Sequence, residues 1–406
     1  MHILVLDTIH GGKPLCKAFA ARGDTVDLVD VYHTKSAVDI PTALGRNYEL
    51  IVSPVHLDPD HPLLNFSTAP VITHHEAVRE LLGEDLPQLM IEVTGARGKT
   101  TTAHALASLL PGKGILHTSA GTFQYPEKNR ISRSSITPAS VLDAASLALG
   151  IHGWLIAEES LGVTGAGTLA IITSDEDYLF AAGKKSAVAA KTASAQQARR
   201  LLLAEHIRAD YKDGRVHIED VAACEGDTCR ITMDGKTTLF KNPLLALPAY
   251  RASLMLAAAA AQMLGFDPAP LSQFAGLTGR MSLSYVNDTL VVDNANSGTN
   301  LITTVQAADY ARITSGREEI TLVIGQAEDD GAVCEGFAPD RIRATIDQVR
   351  PDHVVWVGLF PMPGTDEYAL LAPVITAHAT TLNEGYTAAL KKTGKGSIVL
   401  AVKTWR

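Results

Sequence analysis

Residues 92–102, Glu-Val-Thr-Gly-Ala-Arg-Gly-Lys-Thr-Thr-Thr, restrict this chain more than any other stretch. The apolar run from Gln88 to Val93 predicts a buried strand, and Thr100 to Leu110 predicts a helix. Between them Gly95 and Gly98 let the backbone turn tightly with its N–H groups inward. The positive end of the helix then completes a nest the size of a phosphate. In such a nest Lys99 reaches the β- and γ-phosphates of a nucleotide, and the Thr100 hydroxyl sits on Mg²⁺. Val93 stands where the usual phosphate loop has its first glycine. Gly-Lys-Thr alone arises by chance; strand, glycine turn and helix in this order make a nucleotide site the better reading than a turn with a surface lysine.

A chain of 406 residues exceeds what one core organises and predicts two or three domains. With 35 Lys and Arg against 44 Asp and Glu, the net charge of −9 offers no field to hold nucleic acid or an anionic membrane, so neither partner is expected. An anionic substrate must be held by local groups. The apolar runs are strand-sized, apart from a short Ala-rich helix at Leu254–Leu264, so no membrane span is expected. With the first strand expected at His2–Asp7, no signal peptide is expected, and the four cysteines, Cys16, Cys224, Cys229 and Cys334, are too few and scattered to predict a disulfide framework. Cys224 and Cys229 could pair across a turn, but free thiols in a cytoplasmic protein are the expectation.

The expected fold class is α/β, in three domains. Residues 1–86 alternate short apolar runs (Ile3–Leu6, Val26–Val31, Leu50–Val55, Pro70–Ile72) with helical stretches, which predicts a small parallel sheet that binds substrate. Gly11-Gly12 lacks the spacing of a dinucleotide fingerprint and reads as a turn. Residues 87–282 form the central phosphate-loop domain, with strands at Leu89–Val93, Gly114–Thr118, Gly153–Glu158 and Leu169–Thr173. Within it, Ala209–Thr238 alternates polar and apolar residues around turns at Asp213-Gly214 and Asp234-Gly235, suggesting antiparallel strands on the sheet edge. Residues 283–406 repeat the βα pattern in a Rossmann-like layout.

Four motifs, in order, resemble those of the Mur ligase family, the ATP-dependent ligases of peptidoglycan stems and folate polyglutamylation. Thr94-Gly95-Ala96-Arg97-Gly98-Lys99-Thr100-Thr101 is similar to the family's Gly-Thr-Asn-Gly-Lys-Thr-Thr, lost first glycine included. Ile156-Ala157-Glu158-Glu159-Ser160 resembles its strand-end glutamate, a Mg²⁺ ligand. Gly279-Arg280-Met281 resembles the Gly-Arg that closes the central domain, with its arginine facing the phosphates. Asp293-Asn294-Ala295-Asn296 resembles the segment with which the third domain meets, and closes on, the nucleotide. The resemblance implies ATP and Mg²⁺ as cofactors, Thr100 and Glu158 as metal ligands, and Lys99, Glu158, Lys191 and Arg280 as catalytic residues. Lys191 lies where some members carry a carbamylated lysine and others a plain one, and Lys184 and Lys185 blur the register. Between Glu158 and Glu159 the motif register favours Glu158; the other would be a solvated loop carboxylate.

Departures from the family pattern bear on the substrate. Tyr178 replaces the histidine that would ligate a second Mg²⁺, and Leu247-Pro248-Ala249-Tyr250-Arg251-Ala252 lacks the customary His-Asn pair. The first domain shows no uridine-nucleotide signature. Within the family, the short length and these substitutions resemble the methanogen branch that activates a propionate of a nickel seco-tetrapyrrole as an acyl phosphate and closes a carbocyclic ring. The alternatives are an amide ligase of the same fold and a nucleotide-gated switch. His10, His33, His56, His61, His74 and His75 make the first domain His-rich; solvated side chains, contacts to substrate carboxylates and an axial nickel ligand are the readings open to them. Arg130 and Arg133, in a polar loop, are candidates for carboxylate recognition, and Ser119–Thr122 reads as a family loop near the acyl phosphate or a plain βα turn.

Overall fold

The computed structural model describes residues 1–32, 38–207, 214–296, 298–327 and 337–404, in two units, Met1–Phe274 and Ala275–Arg406. His33, Asp213 and Cys334 lie outside the described residues. In the first unit, β1 (His2–Leu6), β2 (Thr25–Val29), β3 (Leu50–Ser53) and β4 (Val71–Thr73) form a parallel sheet in the order β2-β1-β3-β4. Ile3, Leu4, Val5 and Leu6 are all fully buried, as a parallel strand covered on both faces requires. The chain leaves β1 for β2 on one side and crosses back to β3 on the other. That reversal opens a crevice beyond the carboxyl ends of β1 and β3.

The second sheet contains β5 (Met90–Thr94), β6 (Gly114–Thr118), β7 (Gly121–Tyr125), β8 (Asn129–Ser132), β9 (Trp154–Glu158) and β10 (Leu169–Ile172). A small hairpin, β11 (Leu179–Phe180) with β12 (Lys185–Ser186), follows; β13 (Leu201–Leu203) and β14 (Arg215–His217) complete the order β14-β13-β10-β5-β9-β6-β7-β8. β5 runs parallel between β9 and β10. The antiparallel edge β6-β7-β8 departs from the sequence reading. Ser119 and Ala120 form the β6–β7 turn rather than a βα turn, and Arg130 stands exposed in β8 rather than in a loop. A four-residue edge strand exposed throughout carries no apolar alternation, so it reads as loop.

Alternation within 209–238 does mark antiparallel strands, β15 (Ala222–Glu225) and β16 (Thr228–Met233), continued by β17 (Lys236–Lys241). They form a separate sheet against the helix Pro248–Met263 instead of extending an edge. The Gly226-Asp227 turn sets Cys224 opposite Cys229, and the two are joined as a disulfide, which corrects the free-thiol expectation.

One core joins the first two sheets. Helices Gly12–Ala21, His74–Leu82 and Ser140–Gly150 contribute to a single buried cluster in which Ile3, Val5, Phe19 and Val78 meet Ile115, Ala145, Leu155 and Ala157. Each large side chain so buried contributes about 1.5–3 kcal/mol, and neither sheet could bury its face alone. The second unit is a six-stranded sheet, β18 (Ser282–Val286), β19 (Thr289–Asp293), β20 (Ile320–Gln326), β21 (His353–Val357), β22 (Ala377–Ala379) and β23 (Ser397–Lys403), in the order β18-β19-β23-β20-β21-β22. Only β18 is antiparallel; it is closed onto β19 by Asn287 and Asp288, both at positive φ (47° and 65°), the geometry of a two-residue hairpin turn. Among the described residues, no helix is long and apolar enough to cross a membrane.

Candidate active site

From Thr94, at the end of β5, the chain turns through Gly95-Ala96-Arg97-Gly98 into the helix Lys99–Ala107. Gly95 has φ 149°, and a Cβ there would lie 2.1 Å from Thr173 Oγ1, so the loop is built around the missing side chain. The Thr173 hydroxyl is shared between the carbonyl oxygens of Thr94 (3.1 Å) and Arg97, and Ser174 Oγ accepts from the N–H groups of Ala96 and Arg97 at 2.9 and 3.2 Å. These two hydroxyls, which the sequence analysis did not single out, shape the loop. Nothing in a Thr-Ser pair after a strand signals that role. Lys99 Nζ donates to the Gly95 carbonyl at 3.0 Å, folded over its own loop, and Arg97 pairs with Glu176 at the surface.

At the head of this helix three elements converge. Thr100 Oγ1 donates to Glu158 Oε2 at 2.8 Å and lies 3.1 Å from Ser119 Oγ, and the Ser119 N–H donates to the same carboxylate oxygen at 3.1 Å. Thr100 and Glu158 are both buried, and Thr101, next in the helix, is buried too. Hydroxyl and carboxylate oxygens at one point suit a hard cation such as Mg²⁺. Adjacent residues of a strand face opposite sides, and Glu159 accordingly turns away from Thr100 into the protein against Glu92. It is fully buried, not a solvated loop carboxylate. Glu92 accepts from Thr164 Oγ1 and from the N–H groups of Gly165 (3.1 Å) and Gly167 (2.8 Å). Burial, reinforced by Glu92, pushes the Glu159 carboxyl well above the usual range.

Lys191 is 1 % exposed on the helix Ala187–Ala195, so it is no surface ammonium. Its Nζ makes no hydrogen bond among the described residues and lies 5.0 Å from the centre of the Tyr178 ring. Burial, and then the charge of Lys99, lower its pKa to about 8. The neighbouring lysines are engaged elsewhere: Lys184 pairs with Asp58 and Asp60 at 2.6 and 2.5 Å, and Lys185 donates to the Val55 carbonyl at 3.1 Å. Of the first-domain histidines, His74 and His75 are buried on a helix rather than solvated in a loop; their Nε2 atoms bond the carbonyl oxygens of Leu6 (3.0 Å) and Ser160 (3.1 Å). His61 caps the helix Pro62–Asn65.

In the second unit, Asn296 Nδ2 donates to the Gly279 carbonyl at 2.6 Å and to that of Asn294 at 3.2 Å, tying the Asn-Ala-Asn turn to the residue before the half-buried Arg280. Buried Asn294 donates to Thr303 Oγ1 at 3.1 Å, and Asp293 accepts from the Ala295 N–H at 3.0 Å. Asn294 and Asn296 thus brace the turn that presents Asp293.

A phosphate loop on the central strand of a mostly parallel sheet, with a further α/β unit after it, is the architecture of the Mur ligases, and this chain has their fold. MurF from Acinetobacter baumannii superimposes with a TM-score of 0.56 at 14% identity, over 90% of this chain and 84% of its own. E. coli FolC in complex with ADP gives 0.54 at 16% identity, over 81% and 90%. Residues 283–404 match the family model for coenzyme F430 synthetase CfbE, C-terminal domain. The coenzyme F(430) synthetase of Methanosarcina acetivorans is 29% identical, with 100% of this chain and 98% of that protein aligned. The chain is therefore similar to the Mur ligases in fold and, from end to end, to a coenzyme F430 synthetase.

Proposed function

We propose that the protein is an ATP-dependent ligase that activates a substrate carboxylate as an acyl phosphate, and that it catalyses the coenzyme F430 synthetase reaction. The carboxylate is a propionate of a nickel seco-tetrapyrrole, and a ring carbon closes on it. A carboxylate resists nucleophiles because its leaving group would be oxide; transfer of the γ-phosphoryl group to it makes phosphate the leaving group. The protein's part is positioning and charge neutralisation. Lys99 balances charge on the transferring phosphoryl, and the head of the helix at Lys99 cradles the phosphates. Thr100 and Glu158 would hold Mg²⁺, which supplies positive charge to the phosphate oxygens when bound. Lys191, on which Lys99 exerts the largest charge effect, adds a cation toward the same loop. Arg280 and Asp293 are assigned to the nucleotide by motif, and the division into domains 1–86, 87–282 and 283–406 belongs to the same reading.

The observation that carries the proposal is the convergence of Thr100, Ser119 and Glu158 at the head of the helix that Lys99 opens, in a chain similar throughout to coenzyme F430 synthetase. The test combines the protein with ATP, Mg²⁺ and the nickel seco-tetrapyrrole, following phosphate release and the absorption spectrum. The expected result is stoichiometric phosphate release with a spectral change and no added amine. Phosphate release only in the presence of an amine would mark an amide ligase instead; no carboxylate-dependent release at all would discard the activity.

A further inference from the structure

β1 ends in a tight loop. Asp7 takes φ 89°, unusual for a residue with a side chain, and its carboxylate accepts from the N–H groups of Ile9 (2.6 Å) and His10 (2.9 Å). Gly12 closes the turn against the Asp7 carbonyl, where a Cβ would lie 1.7 Å from the oxygen. The loop folds His10 back over the buried Asp7, with His10 Nδ1 3.2 Å from Asp7 Oδ2. The loop after β3 brings His56 Nε2 to 3.3 Å from the same His10 nitrogen. The three ligand atoms all lie within 4.8 Å of one another. Atoms bound about 2.0–2.2 Å from one metal lie about 2.8–3.6 Å apart at right or tetrahedral angles, a range that contains both contacts.

Position reinforces the geometry. Asp7 and His10 follow β1 and His56 follows β3, the two strands between which the sheet order reverses, where open α/β sheets bind their ligands. A proton bridging Asp7 and His10 would account for one contact. It does not account for a second imidazole held at the same point, or for Tyr32, whose ring stacks on His56 (5.8 Å, 15°) and meets His10 edge-on (5.4 Å) while its buried hydroxyl has no hydrogen-bond partner among the described residues. Imidazole nitrogens with one carboxylate suit nickel, cobalt and zinc rather than magnesium.

We propose that His10 and His56, with Asp7, ligate a divalent late-transition-metal centre in the crevice of the first sheet. Two sources offer that chemistry: a free ion, which can take all three ligands, and the nickel of a macrocycle, which has only axial positions open and takes an imidazole. The second source rests on the function proposed above; the first does not.

The test has two arms, both on the full chain without ATP. In the first, Co²⁺ is titrated while its visible ligand-field bands and the heat of binding are followed. In the second, a nickel tetrapyrrole is added and its axial-ligation spectral shift recorded. His10→Ala and His56→Gln are compared with the parent in both, with circular dichroism as the control for folding and each variant covering for the other. A free-ion site predicts one Co²⁺ per chain, weakened about 100-fold or more in either variant. A macrocycle site predicts no such Co²⁺ binding and a nickel shift that disappears in His56→Gln or His10→Ala. Folded variants that match the parent in both arms would overturn the proposal. Phosphate release in the ligase assay is a separate readout, so failure here and failure of the proposed reaction are distinguishable.

Discussion

Lys99 and Lys191 place two positive charges in neighbouring surroundings, and the protein treats them differently. Lys99 rests on the Gly95 carbonyl at 3.0 Å, whereas Lys191 has an aromatic face and no hydrogen bond. Lys99→Ala should lower carboxylate-dependent phosphate release by about 100- to 1000-fold, the range for removing a group that meets developing charge. Lys191 bears on stability as well. Its folded pKa, about 8, is below the ordinary 10.5, so between these values the unfolded chain holds a proton that the folded chain has released. Stability therefore rises as pH climbs from about 8 toward 10.5, and the cost of a buried charge is fully present below 8. Lys191→Met should stabilise the protein at pH 7 by about 1–2 kcal/mol, with the advantage shrinking above pH 8. Chemical denaturation of both proteins at pH 7 and pH 9.5 would reveal it; an advantage independent of pH would assign the gain to packing.

The helix His74–Leu82 begins with a capping box, Thr73 and Glu76 bonding each other's backbone N–H, and buries two imidazoles in its first turn. Burial holds His74 at about 4 and His75 at about 3, below the usual 6.5. As pH falls from 6.5 toward 3 the unfolded chain takes up protons that the folded helix refuses, so stability drops across that window. His75→Leu should cost about 1–2 kcal/mol at pH 7 by stranding the Ser160 carbonyl, yet lose less on acidification. Melting temperatures at pH 7 and pH 4.5 would show the two curves converging. Elements of this kind were legible where the apolar period was clean: β1, β3, β5 and β9 lie within a residue or two of the predicted runs. The phosphate loop was legible because glycine spacing encodes its backbone. The edge strands β8 and β18 and the short β22 were not, since exposed or very short strands carry little pattern. Nor were Thr173, Ser174 and Asp7, whose roles depend on what the folded chain sets beside them, while the two-fold period of β9 explains why Glu158 and Glu159 part company.

The two units differ in what they can do alone. The sheet of the second unit has its own buried cluster, with Val291, Val323, Val355 and Ile398 among its members, so a fragment 275–406 should fold and melt cooperatively. A fragment 1–86 should not, because it leaves Phe19 and Val78 without Ile115 and Leu155. Circular dichroism melts of the two fragments would check this; a sharp transition from 1–86 would contradict the shared core. In the intact chain, Phe19→Ala should cost about 3–5 kcal/mol and lower a single transition over the whole of the first unit rather than split it. The joint interior of the first two sheets fixes, at the moment of folding, the separation between the proposed triphosphate berth at Lys99 and a substrate acid held, as proposed, by the first domain. Neither ligand has to spend binding energy drawing those berths together, so the affinity for one should be indifferent to any loosening elsewhere in the molecule that spares this interior.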